Sequence, residues 1–318
     1  MIIPILLVVI GFVFLIFGAN WLVDGAAAVA KKYKVSDLAI GLTIVAFGTS
    51  APELVVNSIG SVNGYSDIVL GNIIGSNNFN LFLILGISGL ILPISVQSST
   101  AWKEIPISLG VAILLLFLLN DFTFSTPSYL SRVDSLIMLV LFFLFLYYVF
   151  RQMKSEPTVE VEVVLKATYK IWGLILIGLA LLIIGGQMVV VNSVEIAASL
   201  GVSEKIIGLT IVSAGTSLPE LVTSVIAATK KNSDIAIGNV IGSNIFNILL
   251  ILSISGLIMP IEYNPKFNLD LYILMGGTVF LLLAMLTGKR KRLDRWEASI
   301  LLGFYLLYTT YLVMKEIQ

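Results

Sequence analysis

Two glutamates stand where a carboxylate is costly. Glu53 lies in the apolar stretch Gly41 to Asn57, GLTIVAFGTSAPELVVN, and Glu220 in Gly208 to Ser224, GLTIVSAGTSLPELVTS. Gly48, Thr49, Ser50, Pro52 and Glu53 of the first return as Gly215, Thr216, Ser217, Pro219 and Glu220 of the second, 167 positions on. At the centre of a bilayer one carboxylate costs about 2.5–3.5 kcal/mol, and two repel unless something positive lies between them. One divalent cation balances both; protonation of the empty pair, or two monovalent ions, would do the same. The chain has no histidine and no cysteine, which removes imidazole chemistry, thiolate metal sites and disulfides. What remains is oxygen, the donor that hard cations such as Ca2+ and Na+ prefer.

The neighbouring residues add neutral oxygens. Pro52 and Pro219 each lack an N–H and crowd the carbonyl four residues back, that of Gly48 or Gly215, so the turns Ala46 to Ser50 and Ser213 to Ser217 are expected to present free carbonyls beside Thr and Ser hydroxyls. A second duplicated segment, GNIIGSNNFN from Gly71 and GNVIGSNIFN from Gly238, sets Ser76 with Asn80, and Ser243 with Asn247, one helical turn apart on one face. Such a polar stripe is expected to face the centre of a helix bundle, where the glutamate helices cross. Competition of two cations for one pair of carboxylates would couple their fluxes.

The elements that must position these groups are membrane helices. With 58% hydrophobic residues, 12% charged residues, a mean hydropathy of +1.03 and recurring apolar runs, the sequence reads as an all-α polytopic membrane protein. A formal net charge of zero gives no nucleic-acid footprint. Met1 to Val23 lacks a basic leader and a cleavage site, and reads as the first span instead of a signal peptide. The pattern predicts ten transmembrane helices, over 3–24, 36–62, 67–92, 103–120, 130–150, 170–193, 204–229, 234–259, 268–287 and 295–314. Ser36 and Ser203 look like N-caps, while Pro93 and Pro260 end the third and eighth spans. They divide into a first five-helix repeat, 1–150, a charged linker, 151–168, and a second repeat, 169–318. An odd number of spans per repeat forces the second into the membrane from the opposite side, so the repeats are inverted, an arrangement typical of secondary transporters with midplane ion sites. Fifteen Lys and Arg fall in loops on one side and four on the other, which puts both termini outside the cell and the linker in the cytoplasm.

The duplicated GTSxPE and GSNxxN segments on this frame resemble the α-repeats of the Ca2+/cation antiporter superfamily, and most closely its prokaryotic Na+/Ca2+ exchangers. The resemblance covers nearly the whole chain. It implies exchange of Na+ for Ca2+ across the cell membrane by alternating access, the two ions being cargo and no cofactor being needed. Carried over by motif position, Glu53 and Glu220 would bind Ca2+ and be shared with Na+, joined by the carbonyls of Thr49 and Thr216. Hydroxyls of Ser50, Ser76, Ser217 and Ser243, with carbonyls of Ala46 and Ser213, would line flanking Na+ sites, and Asn80 and Asn247 the central one. The resemblance further implies that the first and sixth spans slide across the bundle. Asn247 replaces the Asp of some relatives, including potassium-dependent exchangers, which disfavours K+ cotransport. The Gly-Asn-Ala-x-Glu motif of proton-coupled exchangers is absent, as is the large Ca2+-sensing insert of animal exchangers.

Plainer roles suit other residues. Asp67 and Asp234 read as helix N-caps, the Gly71/Gly75 and Gly238/Gly242 pairs as close-packing surfaces, and Lys289 to Arg292 as a topology anchor. A cation channel is the alternative to an antiporter, as is coupling to H+ or K+. A channel filter is commonly built by several subunits around an axis, whereas here one chain carries both halves. No metalloprotease or Gly-x-Gly-Asp motif supports a hydrolase. Partners beyond the two cations and the lipid bilayer are not implied, and no obligate protein partner is expected.

Overall fold

A computed structural model describes residues 2–95, 100–120, 128–152, 167–200, 213–287 and 291–317. Its helices are α1 (Ile2–Tyr33), α2 (Asp37–Thr49), α3 (Ala51–Val62), α4 (Ser66–Ile91), α5 (Trp102–Leu119), α6 (Arg132–Gln152), α7 (Thr168–Ser199), α8 (Ser213–Thr216), α9 (Leu218–Thr229), α10 (Ser233–Ile258), α11 (Asn268–Ala284) and α12 (Arg295–Ile317). Among the described residues seven helices are long and apolar enough to cross a membrane, or eight if the bent pair α2–α3 is one span. The first and sixth predicted spans run further than the sequence pattern suggests, α1 to Tyr33 and α7 to Ser199. Small residues carry both onward: Gly25, Ala26, Ala27 and Ala28 in α1, and Ala197 in α7. Most of the linker, the N-cap expected at Ser203 and the Gly208 to Val212 part of the second glutamate stretch lie outside the described residues.

Burial differs widely among the spanning helices. Of the most apolar windows, 94% of α10 and 78% of α4 are buried inside the protein, against 28% of α1 and of α6. A helix that is apolar all round and mostly uncovered needs lipid as its solvent, whereas α4 and α10 are enclosed by protein.

Proline breaks the glutamate helices as expected. Between α2 and α3 the chain bends by 48° at Ser50, whose backbone lies at φ −82°, ψ 8°, and Ser217 between α8 and α9 has nearly the same conformation, φ −90°, ψ 9°. Pro52 and Pro219 sit in the first turn after each break, where a missing N–H costs least. Ser36 caps α2 by accepting from Ala39 N–H at 3.2 Å. Asp67 and Asp234 are not caps. They occupy the first turns of α4 and α10, whose preceding residues are Tyr65 and Asn232, and the Asn232 side chain takes the Ile235 N–H. An acid in the first turn is favoured by the helix dipole without capping anything.

Helices α1 and α7 pack along a seam of glycines at seven-residue spacing. A Cβ on Gly11 would stand 2.9 Å from the Gly185 carbonyl oxygen, one on Gly18 2.8 Å from that of Gly178, and one on Gly25 2.7 Å from Ile175. As the number rises in one helix it falls in the other, so the two are antiparallel and in near backbone contact. The pair Gly238 and Gly242 likewise lets α10 approach α2, with the Leu38 carbonyl and Leu42 backbone at 2.9 Å from a would-be Cβ. In its first-half counterpart, among the described residues, a Cβ on Gly71 would meet Phe267 at 3.6 Å and one on Gly75 nothing within 4 Å; residues 205–212, which correspond to Leu38–Val45, lie outside the described residues.

Among the described residues there are two short antiparallel ribbons. β1 (Ile94–Ser95) pairs with β4 (Arg292–Leu293), and β2 (Ser128–Leu130) with β3 (Ile261–Tyr263). Each joins a strand following α4 or α10 to one preceding the last helix of the other half.

Candidate ion-binding site

The two breaks meet in the protein interior. Glu53 is 0% exposed and Glu220 1%. Each carboxylate is held by the serine of the opposite break: Ser50 Oγ donates to Glu220 Oε1 at 2.9 Å, and Ser217 Oγ to Glu53 Oε1 at 3.1 Å. The same hydroxyls touch α10 and α4, with Ser50 Oγ 3.1 Å from Ser243 Oγ and Ser217 Oγ 3.0 Å from Ser76 Oγ. Thr49 Oγ1 donates to Asn239 Oδ1 at 3.0 Å, and Thr216 Oγ1 to Asn72 Oδ1 at 3.3 Å.

A second layer crosses between α4 and α10. Asn77 donates to the Asn244 carbonyl at 3.2 Å and Asn244 to the Asn77 carbonyl at 3.3 Å. Asn80 donates to Asn244 Oδ1 at 3.0 Å, while Asn247 donates to Asn77 Oδ1 at 2.9 Å. All of these bonds come in pairs related by the 167-residue offset, so the interior repeats itself about an approximate two-fold axis. Sequence reasoning had Ser76, Asn80, Ser243 and Asn247 on the inner stripe but missed Asn77, Asn244, Asn72 and Asn239. The available signal was their repetition: a buried amide kept at matched positions of an apolar helix needs a partner.

Local backbone geometry supports this packing. π-helical turns run over Phe79–Ile84 in α4 and Asn247–Leu252 in α10, each beginning beside the inward asparagine. An i→i+5 turn widens the helix and rotates the residues on either side, a feature frequent at functional sites.

Four oxygens have no protein donor. Glu53 Oε2, Glu220 Oε2, Asn80 Oδ1 and Asn247 Oδ1 are buried and unpartnered, because the amide nitrogens of both asparagines are turned to Asn244 and Asn77. An orphaned buried acceptor costs about 1–3 kcal/mol, more when charged, and a cation is the partner that satisfies acceptors alone. The donor set, two carboxylate and two amide oxygens with serine hydroxyls alongside, suits a hard cation in the manner of Ca2+ or Na+ sites. Among the described residues no group of three or more His, Cys, Asp or Glu exists, so the charge comes from the two glutamates.

The backbone oxygens are less free than expected at one position. Ala46 O accepts the Ser50 N–H at 3.0 Å and lies 3.3 Å from Thr49 Oγ1, because the break falls at Ser50 and the helix is intact up to it. Beyond the break, Leu54 N–H reaches Ser50 O at 3.1 Å, and Leu221 N–H reaches Ser217 O at 3.1 Å. Pro52 and Pro219 have no N–H to offer Gly48 and Gly215. Ser213 opens α8.

A family model described as sodium/calcium exchanger protein matches residues 3–151 and 170–314, nearly the whole chain in two blocks. The chain belongs to this family. It is therefore a membrane transporter of the Na+/Ca2+ exchange type and not an enzyme. Among other members, it is 37% identical to the putative antiporter CaxA of Alkalimonas amylolytica over 97% of this chain and 98% of that one. It is 32% identical to the sodium/calcium exchanger MaX1 of Methanosarcina acetivorans over 95% of this chain and 96% of that one. The solved structure of the sodium-calcium exchanger NCX_Mj soaked with 10 mM Na+ and zero Ca2+ superimposes with a TM-score of 0.85 at 30% identity, covering 96% of this chain and 97% of that one.

Proposed function

We propose that the protein exchanges Na+ for Ca2+ across the cell membrane by alternating access, with the ions held at the midplane between Glu53 and Glu220. The observation that carries this reading is the set of four orphaned oxygens, on Glu53, Glu220, Asn80 and Asn247, with no buried Lys or Arg among the described residues to neutralise the two carboxylates. One Ca2+ balances both carboxylates; Na+ ions arriving from the other solution replace it at the same oxygens. The Ser50, Ser76, Ser217 and Ser243 hydroxyls line the flanks, with the carbonyls of Thr49 and Thr216 on the central ion and those of Ala46 and Ser213 beside the flanking ones. Since Ala46 O already accepts from Ser50 N–H, it would serve through its second lone pair.

The frame for this mechanism is ten spans in two inverted repeats, 1–150 and 169–318, joined by a cytoplasmic linker, with both termini outside. Two features support it. The antiparallel helices α1 and α7 hold corresponding places in the two halves, since Gly11 and Gly18 become Gly178 and Gly185 at the 167-residue offset. The hydrogen bonds of the site also recur at that offset. Opposed halves around one site can exchange conformations, which opens the site to either face in turn.

The test is Ca2+ uptake into proteoliposomes with Na+, K+ and H+ gradients imposed separately. Uptake should require an opposing Na+ gradient; uptake that persists without one identifies a channel instead. Glu53→Gln and Glu220→Gln should each abolish Na+-driven Ca2+ uptake, and flux at the unsubstituted level in either would remove that glutamate from the site.

A further inference from the structure

The two halves are not closed alike. In the second half α9 and α10 are joined below the site: Asn239 Nδ2 donates to Ser224 Oγ at 2.9 Å and to the Glu220 carbonyl at 3.3 Å, and Ser243 Oγ lies 3.5 Å from Glu220 Oε1. The 167-residue offset maps these partners onto Asn72, Asn57, Glu53 and Ser76 of α3 and α4. There the corresponding bonds are missing. Asn72 Nδ2 and Asn57 Oδ1, a donor and an acceptor that would mirror Asn239 and Ser224, are both buried without a partner. Asn57 instead turns its own Nδ2 to the Glu53 carbonyl at 2.7 Å.

The polar face also extends further in this half. Glu53, Asn57 and Ser61 follow at four-residue spacing along α3, all at most 3% exposed, and Glu53 Oε2, Asn57 Oδ1 and Ser61 Oγ are all unpartnered. In α9 the matching face is Glu220, Ser224 and Ala228, which ends in a methyl group. The α3–α4 turn toward which the first face runs, at Asn63 to Tyr65, opens on a 620 Å3 hollow lined by Tyr65, Asp67, Glu262 and Asn264, among others. Buried oxygens in a row, none with a protein donor, match what a cation shedding its water needs at each step.

We propose that Asn57 and Ser61 form the path by which a cation reaches Glu53 from the α3–α4 turn, with Asn72 as the open half of a latch beside it, and that the Asn239–Ser224 hydrogen bond is the latch closing the equivalent path in the second half. This rests on the exchange reading given above. When the site opens to the other face, Asn72 closes on Asn57 and Asn239 leaves Ser224. The asymmetry in sequence makes the two latches unequal: an amide at residue 57 and a hydroxyl at 224.

Because the chain has no cysteine, single introduced thiols report their own accessibility. The full-length protein in oriented proteoliposomes is treated, from each face in turn, with a membrane-impermeant cationic methanethiosulfonate. The variants are Ser61→Cys, Asn57→Cys and Ala228→Cys, with Thr278→Cys as the control, since Thr278 is 2% exposed in α11 and bonded to the Leu274 carbonyl. Ser61→Cys should react from the face of the 63–65 turn about tenfold or more faster than the control, with Asn57→Cys between them and Ala228→Cys as slow as the control from the opposite face. Adding Ser224→Ala to Ala228→Cys removes the acceptor of the latch and should speed its reaction about three- to tenfold, the population shift that loss of one hydrogen bond permits. Any other order of these rates overturns the proposal. Na+-driven Ca2+ uptake in the same vesicles separates the two readings: fast Ser61→Cys labelling in a protein that shows no exchange would refute the function and leave the path, whereas exchange without labelling would refute the path alone.

Discussion

Truncating Asn244 or Asn77 to alanine tests whether the interior is two-fold symmetric in energy as well as in geometry. Asn244 donates to the Asn77 carbonyl and accepts from Asn80; Asn77 donates to the Asn244 carbonyl and accepts from Asn247. Each substitution therefore removes two interhelical bonds and leaves one buried side-chain amide, that of Asn80 or of Asn247, without its acceptor. In membrane interiors such bonds average about 0.6 kcal/mol each, and orphaning a buried group adds to this, so each variant should lose about 1–3 kcal/mol. For a chain of this size that lowers Tm by roughly 1.5–4.5 °C. Asn77 and Asn244 touch each other within one hydrogen-bond network, so the double variant should depart from the sum by about 0.5 kcal/mol or more. Thermal unfolding in detergent, followed by tryptophan fluorescence and by loss of the monodisperse peak on gel filtration, measures the shifts. Transport adds a second readout: Asn244→Ala frees the Asn80 amide and Asn77→Ala that of Asn247, so both should weaken exchange at low Ca2+. If one variant were as stable as the parent while the other lost the full amount, the pairing across the axis would be wrong.

Gly242→Ala should lower stability by about 1–3 kcal/mol, since its Cβ would lie 2.9 Å from the Leu42 backbone, while Gly276→Ala, with nothing within 4 Å among the described residues, should be neutral or slightly stabilising in the same unfolding assay. Gly18→Val should disrupt the α1–α7 seam, where the Gly178 carbonyl stands 2.8 Å from the added Cβ, and be seen as loss of folded protein; Gly110→Ala, on an open face, should express like the parent. An imposed K+ gradient should leave Na+-driven Ca2+ uptake unchanged, because the central oxygens come from two carboxylates and two amides; K+-dependent uptake would show that Asn247 does not exclude that ion.

Much of the fold could be read from hydrophobic run lengths, because a bilayer demands about twenty apolar residues per helix and allows few alternatives. The helix break was legible too, since proline removes a specific bond wherever it stands. Local sequence carries less about ends: α1 and α7 continue well past their most apolar portions because tertiary partners, the glycine seam above all, support them. The caps at Tyr65 and Asn232 were misread at Asp67 and Asp234 because serine and aspartate suit both the cap and the first turn.

By itself the sequence marked the residues proposed to hold the ions: an all-oxygen set, duplicated at a fixed offset, with charge only at Glu53 and Glu220. Tertiary structure decided how they are joined. That Ser50 serves Glu220 and Ser217 serves Glu53, that Asn77 and Asn244 hold the opposite helix, and that Asn239 closes on Ser224 while Asn72 stays apart from Asn57, are matters of helix crossing. Residues more than a hundred positions apart meet there through packing angles and small-residue contacts, which no local pattern specifies.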